Sequence, residues 1–116
     1  MNDTTVKQSR AQRIAELNDA FRTSFIGGRV LKTAGIDALP EDDQAAILHK
    51  VRSFETFTED NDPYGEHDFG SFEHPDAGRI FWKIDYYDRT GQTGSGDAAD
   101  PQQTLRVLTI MLASEY

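Results

Sequence analysis

The sequence predicts an α+β domain, an antiparallel sheet of three or four strands packed with two N-terminal helices and a C-terminal helix. Three patterns carry that reading. Apolar residues recur at spacings of three and four in two stretches before residue 55, the mark of amphipathic helices. They alternate with polar and aromatic residues over 79–88, the period of a half-buried strand. Turn-forming Pro, Gly, Asn and Asp separate these blocks without a linker that would divide the chain, so all 116 residues read as one domain.

The first helix is expected over about 7–24, behind a flexible tail at 1–6. Ile14, Leu17, Phe21 and Phe25 form its apolar stripe, and Arg10, Arg13, Glu16, Asn18, Asp19 and Arg22 a face read as solvated. Gly27-Gly28 ends it, because glycine accepts the left-handed cap. Residues 29–34 read as a short strand closed by Gly35. Pro40 opens a second helix, with Glu41, Asp42 and Asp43 in the first turn, where the helix dipole favours negative charge. Ile47, Leu48, Val51 and Phe54 are its buried side.

A hairpin follows, 69–74 against 79–88, turning at 75–78. Setting His74 opposite Arg79 places Asp68 opposite Asp85. Residues 89–99 carry Gly91, Gly94 and Gly96 and read as a flexible loop. That loop lacks the Gly-Lys-Ser/Thr ending of a phosphate cradle, which excludes one. Residues 105–116 fit a buried strand or a helix, and the Asp100-Pro101 start selects the helix.

Twenty acids against twelve bases give a formal charge of −8, unevenly spread. The first 32 residues are net basic, and the remainder is strongly net acidic. Such a body repels nucleic-acid phosphates, which argues against direct nucleic-acid binding, and attracts a basic protein surface. The chain has no cysteine, which excludes disulfides and thiolate metal sites. It holds no apolar run near the ~20 residues of a membrane span and no signal-peptide core, so no membrane role and a cytoplasmic location are expected.

The acidic stretch at 58–70 contains no lysine or arginine and supplies most candidate site residues. Glu59, Asp60, Asn61, Asp62, Tyr64, Glu66, His67 and Asp68 are the candidate binding residues, joined from the hairpin by Asp85, Tyr87 and Asp88. Asp60, Asp62 and Gly65 match positions one, three and six of an EF-hand loop. Tyr64 at position five and Ser71 at position twelve break that match, and no cofactor is expected. A different calcium or magnesium site would draw on Glu59, Asp60, Asp62 and Glu66. Acid/base chemistry would draw on His67, Asp68 and Asp85, with Glu66 beside them, since a carboxylate can fix a histidine tautomer and raise its basicity. Adjacent strand residues point to opposite faces, so His67 and Asp68 share a cluster only if the strand bulges. The structural alternative has Asp and Asn side chains bonding loop amides and His67 locking the turn. Stacking of bases on Phe81, Trp82, Tyr86 and Tyr87 is disfavoured, because Asp85 and Asp88 lie among the rings.

Three segments, 57–70, 81–88 and 106–116, together with Leu17-Asn18-Asp19-Ala20-Phe21-Arg22 and Gly27-Gly28-Arg29-Val30, resemble the bacterial domain of unknown function 3768 family. The resemblance implies a small cytoplasmic bacterial protein of plasmids and other mobile elements, with no catalytic residues to carry over. With the charge, it leads to one functional expectation: a non-enzymatic interaction or regulatory protein of a mobile element. Its acidic centre would bind a basic protein, as in inhibition of a host-defence nucleic-acid-binding complex by charge mimicry. The alternative is a small metal-dependent or acid/base enzyme built on Glu66, His67, Asp68 and Asp85. A homodimer seamed by Tyr87 or Tyr116 is a third reading.

Overall fold

The computed structural model describes residues 8–116. The expected flexible tail at 1–6 and the helix start near residue 7 lie outside them. Helix α1 is Arg10–Ser24. A capping box starts it: the Ser9 hydroxyl accepts from Gln12 N–H, and the Gln12 side chain accepts from Ser9 N–H. It ends on Phe25 at φ 60°, so the left-handed cap falls two residues before the expected Gly-Gly pair. Gly28 has another task. A Cβ there would stand 2.4 Å from the Arg106 carbonyl oxygen, so only glycine lets the chain pass this close.

Strand β1 is Gly28–Lys32, α2 is a single turn at Ala34–Asp37, and α3 is Glu41–Ser53. Pro40 precedes α3 and the three acids occupy its first turn, as the sequence indicated. Ile47 and Val51 are fully buried, with Leu48 and Phe54 packed against the same core. Strands β2 (Phe69–His74), β3 (Gly78–Tyr87) and β4 (Leu105–Leu112) complete a four-stranded sheet in the order β1-β4-β3-β2.

The α+β class and the strands β1, β2 and β3 agree with the sequence reading; three details are corrected. Residues 105–112 are not a helix but the central strand β4, and a short 3-10 turn at Ala113–Glu115 is the only helical part of the C-terminal segment. Val107, Thr109 and Ile110 are β-branched and suit a strand. Burial on both faces replaces the alternation that would have marked it. Asp100 serves a turn, accepting from Gln102 and Gln103, and starts no helix. The sheet is also mixed, because β1 runs parallel to β4 while β4, β3 and β2 are antiparallel.

The hairpin register differs by one residue. Gly78, at φ 76°, takes the left-handed conformation and closes the turn early, so Gly78 and not Arg79 faces His74. Asp68 therefore lies across from Ile84, whose N–H it receives at 2.8 Å, and not from Asp85.

The helices cover one face of the sheet. Phe21, Ile36, Ile47 and Val51 meet Ile80, Trp82, Ile84, Leu108 and Ile110 in a single core. Gly70 leaves room for the Trp82 indole, which a Cβ would approach to 2.4 Å. The other face holds an aromatic group, with Phe81 edge-on to Phe69 at 5.3 Å and to Tyr116 at 5.2 Å. No helix among the described residues is long and apolar enough to cross a membrane.

Candidate functional site

The acidic stretch is an irregular loop between α3 and β2, wired from within. The Asn61 side chain accepts from Thr58 N–H at 2.8 Å and donates to the Thr56 carbonyl at 3.0 Å. Asp62 N–H donates to the Thr58 carbonyl, and Gly65 N–H to that of Asp62. The Asp62 carboxylate accepts from His67 N–H at 3.2 Å. His67 itself sits at φ 56°, a left-handed conformation uncommon outside glycine. That backbone reversal separates His67 from the strand that starts at Phe69.

This wiring sorts the loop side chains into two sets. Glu59, Asp60 and Asn61 are exposed, and Tyr64 is 81% exposed, the most of any large hydrophobic residue among those described. Asp62 is 8% exposed, His67 is turned toward Asp19 of α1, and the Glu66 carboxylate toward Tyr86 of β3. The outer set meets solvent; the inner set attaches the loop.

The attachment has two parts. In the first, His67 Nδ1 lies 2.9 Å from the Asp19 carboxylate on α1, and Nε2 lies 3.7 Å from Asp62 Oδ2. The imidazole stacks on Phe57 with ring centroids 3.9 Å apart. Asp19 also receives the Arg22 guanidinium at 3.1 Å. Arg22 is 2% exposed, donates to the Val51 carbonyl at 2.8 Å, and lies over the Phe57 and Trp82 rings at 5.5 and 5.1 Å. A buried guanidinium held this way joins α1, the end of α3 and the loop floor.

The second part is a buried polar chain. Asn18 Nδ2 donates to the Glu66 carbonyl at 2.9 Å and to the Tyr86 hydroxyl at 2.8 Å. Tyr86 donates to Glu66 Oε1 at 3.0 Å, and Arg106 Nε donates to Asn18 Oδ1 at 2.7 Å. Arg106 also bonds the Ala98 carbonyl. Burial pushes the Tyr86 hydroxyl well up from its ordinary value, so it remains a neutral donor. Burial, followed by the charge of Glu66, pushes the Asp68 carboxyl up.

Two open grooves flank His67 and Asp19. One, of about 410 Å³, is lined by Gln8, Gln12, Ala15, Glu16 and Gly65 as well. The other, of about 460 Å³, runs past Arg22, Arg52, Phe54 and Phe57.

The expected catalytic group is divided. Asp85 sits one residue from Ile84 and Tyr86 in a strand whose alternate side chains enter the helix-side core, so it lies on the far face. There it pairs with Lys83 at 2.9 Å. Tyr87 lies on that same far face. Asp88 organises the following loop, accepting from Thr90, Gln92 and Thr93, and those bonds hold its carboxyl well below the ordinary range. Among the described residues no three His, Asp or Glu side chains stand where they could hold a metal ion. Of the four oxygen donors considered for calcium, Glu59 and Asp60 point outward, and Asp62 and Glu66 are spent on His67 N–H and Tyr86.

Sequence reasoning missed Asn18, Asp19, Arg22 and Arg106 as parts of this site. A signal did exist: Asn18 and Arg22 follow Ile14 by four and eight residues and so extend its stripe onto the buried face.

Residues 32–115 match the model of the family described as Protein of unknown function (DUF3768). The chain belongs to that family. The DUF3768 match spans α3, the acidic loop and the strands β2 to β4, while Asn18, Asp19 and Arg22 of α1 precede it. No curated protein and no solved structure matches the chain.

Proposed function

We propose that this DUF3768 protein is a non-enzymatic interaction protein that offers its acidic loop to a basic protein surface. One observation carries the reading. The loop is anchored by Asp62, Glu66 and His67, while Glu59, Asp60 and the 81% exposed Tyr64 face outward. An anchored loop loses little conformational entropy on binding, and an exposed tyrosine flanked by charge is the composition of a protein-contact patch. The overall charge of −8 adds long-range attraction for a basic partner. Family resemblance supports a narrower form, in which the protein of a bacterial mobile element imitates nucleic-acid charge and occupies a host-defence complex.

An acid/base enzyme draws less support. His67 does have a carboxylate on Nδ1 beside a groove, but its Nε2 faces Asp62 and neither ring nitrogen bonds a hydroxyl among the described residues.

The test replaces Tyr64 by a photo-crosslinking phenylalanine analogue in cells. The expected product is an adduct with one basic protein, lost when Glu59→Gln and Asp60→Asn are combined and weakened by salt. An adduct indifferent to both acid substitutions and to salt, or no adduct, overturns the reading.

A further inference from the structure

The loop that presents Tyr64 has almost no ladder of backbone bonds to the rest of the fold. Its attachment rests on side chains, and one of them is a histidine whose two ring nitrogens both point at carboxylates. Nδ1 is 2.9 Å from Asp19 of α1, and Nε2 is 3.7 Å from Asp62 of the loop itself. An imidazolium donates from both nitrogens; a neutral imidazole donates from one and turns a lone pair to the other carboxylate. The ring is about one-third exposed and lines both grooves, so proton exchange with solvent is open to it.

We propose that His67 is a charge-dependent latch: as an imidazolium it bridges Asp19 and Asp62 and holds the loop in its presenting form, and as a neutral ring it lets the loop leave α1. The proposal rests on the interaction reading above and assigns that surface its regulation. Groups on every neighbouring element enter the balance. From α1 these are Asp19, which holds the ring, Arg22, which competes for Asp19 at 3.1 Å, and Glu16, which lines the same groove as His67. Arg52 and Glu55, near the end of α3, line the groove on the Phe57 side. Within the loop, Asp62 faces the ring and Glu66 and Asp68 flank it in the chain, Glu66 bonding Tyr86; burial, followed by the charge of Glu66, pushes the Asp68 carboxyl up. Once the ring is neutral, Asp62 keeps only the His67 N–H at 3.2–3.3 Å, at a backbone geometry of φ 56° that relaxes if the loop lifts.

The absence of cysteine permits a single spin label at Gln12→Cys, on the exposed rim of the groove. In the full chain, paramagnetic broadening of amides 60–66 and the His67 ring shift are followed together between about pH 5 and 8, the range in which histidine changes charge. The expected result is a loss of broadening with the same midpoint as the ring. In Asp62→Asn the midpoints separate or the broadening change shrinks severalfold. In His67→Asn, whose side chain tolerates the left-handed backbone, the broadening is low throughout and free of pH dependence. A ring that titrates while the loop stays put, a loop that moves without the ring, or a ring that keeps one charge across the range overturns the latch. Tyr64 crosslinking at the most acidic point of the range tests the surface separately: loop motion without an adduct leaves the latch standing and removes the interaction reading.

Discussion

Two histidine–aspartate pairs hold this molecule together, and they do so in unlike settings. His74 lies in the regular edge strand β2, is 7% exposed, and sends Nε2 to a single carboxylate, Asp43, at 2.8 Å in the first turn of α3. His67 lies outside any strand, in a left-handed backbone, and divides its ring between two carboxylates. The backbone around His74 is already tied through six register positions to β3, so its bond to Asp43 adds to a fixed frame. Around His67 the side chains are the frame. Local stability follows from this difference: loss of the first pair should be felt by the whole fold, and loss of the second by the loop.

The largest effect is expected at Arg22, where the two regions share a support. Arg22→Met keeps the apolar stem but removes the charged donor of the Val51 carbonyl, leaving it the long Phe54 N–H bond, and leaves Asp19 with His67 alone. A loss of about 3 kcal/mol in chemical unfolding is expected, the size of an uncompensated buried polar group. If the loss is under about 1 kcal/mol, the guanidinium is not the shared support described here. Next in size is His74→Ala, expected to cost about 2 kcal/mol of global stability through the lost bond and the space left beside α3. Chymotryptic cleavage at Tyr64 should not change in the folded protein. His67→Asn reverses that pattern. Its global cost is about 1 kcal/mol or less, in keeping with a half-exposed pair, while cleavage at Tyr64, followed at the acid end of the histidine range, accelerates because the loop is released. Equal behaviour of the two variants in both assays would erase the contrast between the pairs.

Much of the frame was legible in the residues. The Pro40 start and the stripe of α3 follow from capping and periodicity, and β3 from its alternation. Strand β4 was legible only as one of two readings, because a strand buried on both faces carries apolar residues without a period, and Asp100-Pro101 offered a helix start that the chain uses as a turn. The loop was recognised as the working stretch, yet its partners were sought along the hairpin. They came from α1, where Asn18, Asp19 and Arg22 read as a solvated face. Polar residues at buried helical positions give no hydrophobic signal, so their placement emerges only once the sheet supplies Tyr86 and Arg106 as partners. The one-residue error in the hairpin has an equally local cause, since Gly78 is free to close the turn in a conformation Arg79 would resist.

The smallest effect separates loop charge from loop attachment. Asp68 follows the latch residue at the start of β2, and burial together with Glu66 pushes its carboxyl above the ordinary range. The folded state then binds the proton more tightly than the unfolded chain does. Stability contributed by this group is therefore greatest below the ordinary carboxylate value and falls as pH rises through the raised one. At neutral pH the ionised Asp68 works against the fold. Asp68→Asn should raise stability there by about 0.5 kcal/mol, a value kept small because the group is half exposed. The gain should fade as the pH is lowered through the carboxylate range, where the wild-type group is already neutral. Unfolding curves at several pH values measure this directly. A destabilised variant at neutral pH would mean that Asp68 is a third member of the attachment, and that the charge around His67 supports the loop more broadly than the Asp19–His67–Asp62 bridge implies.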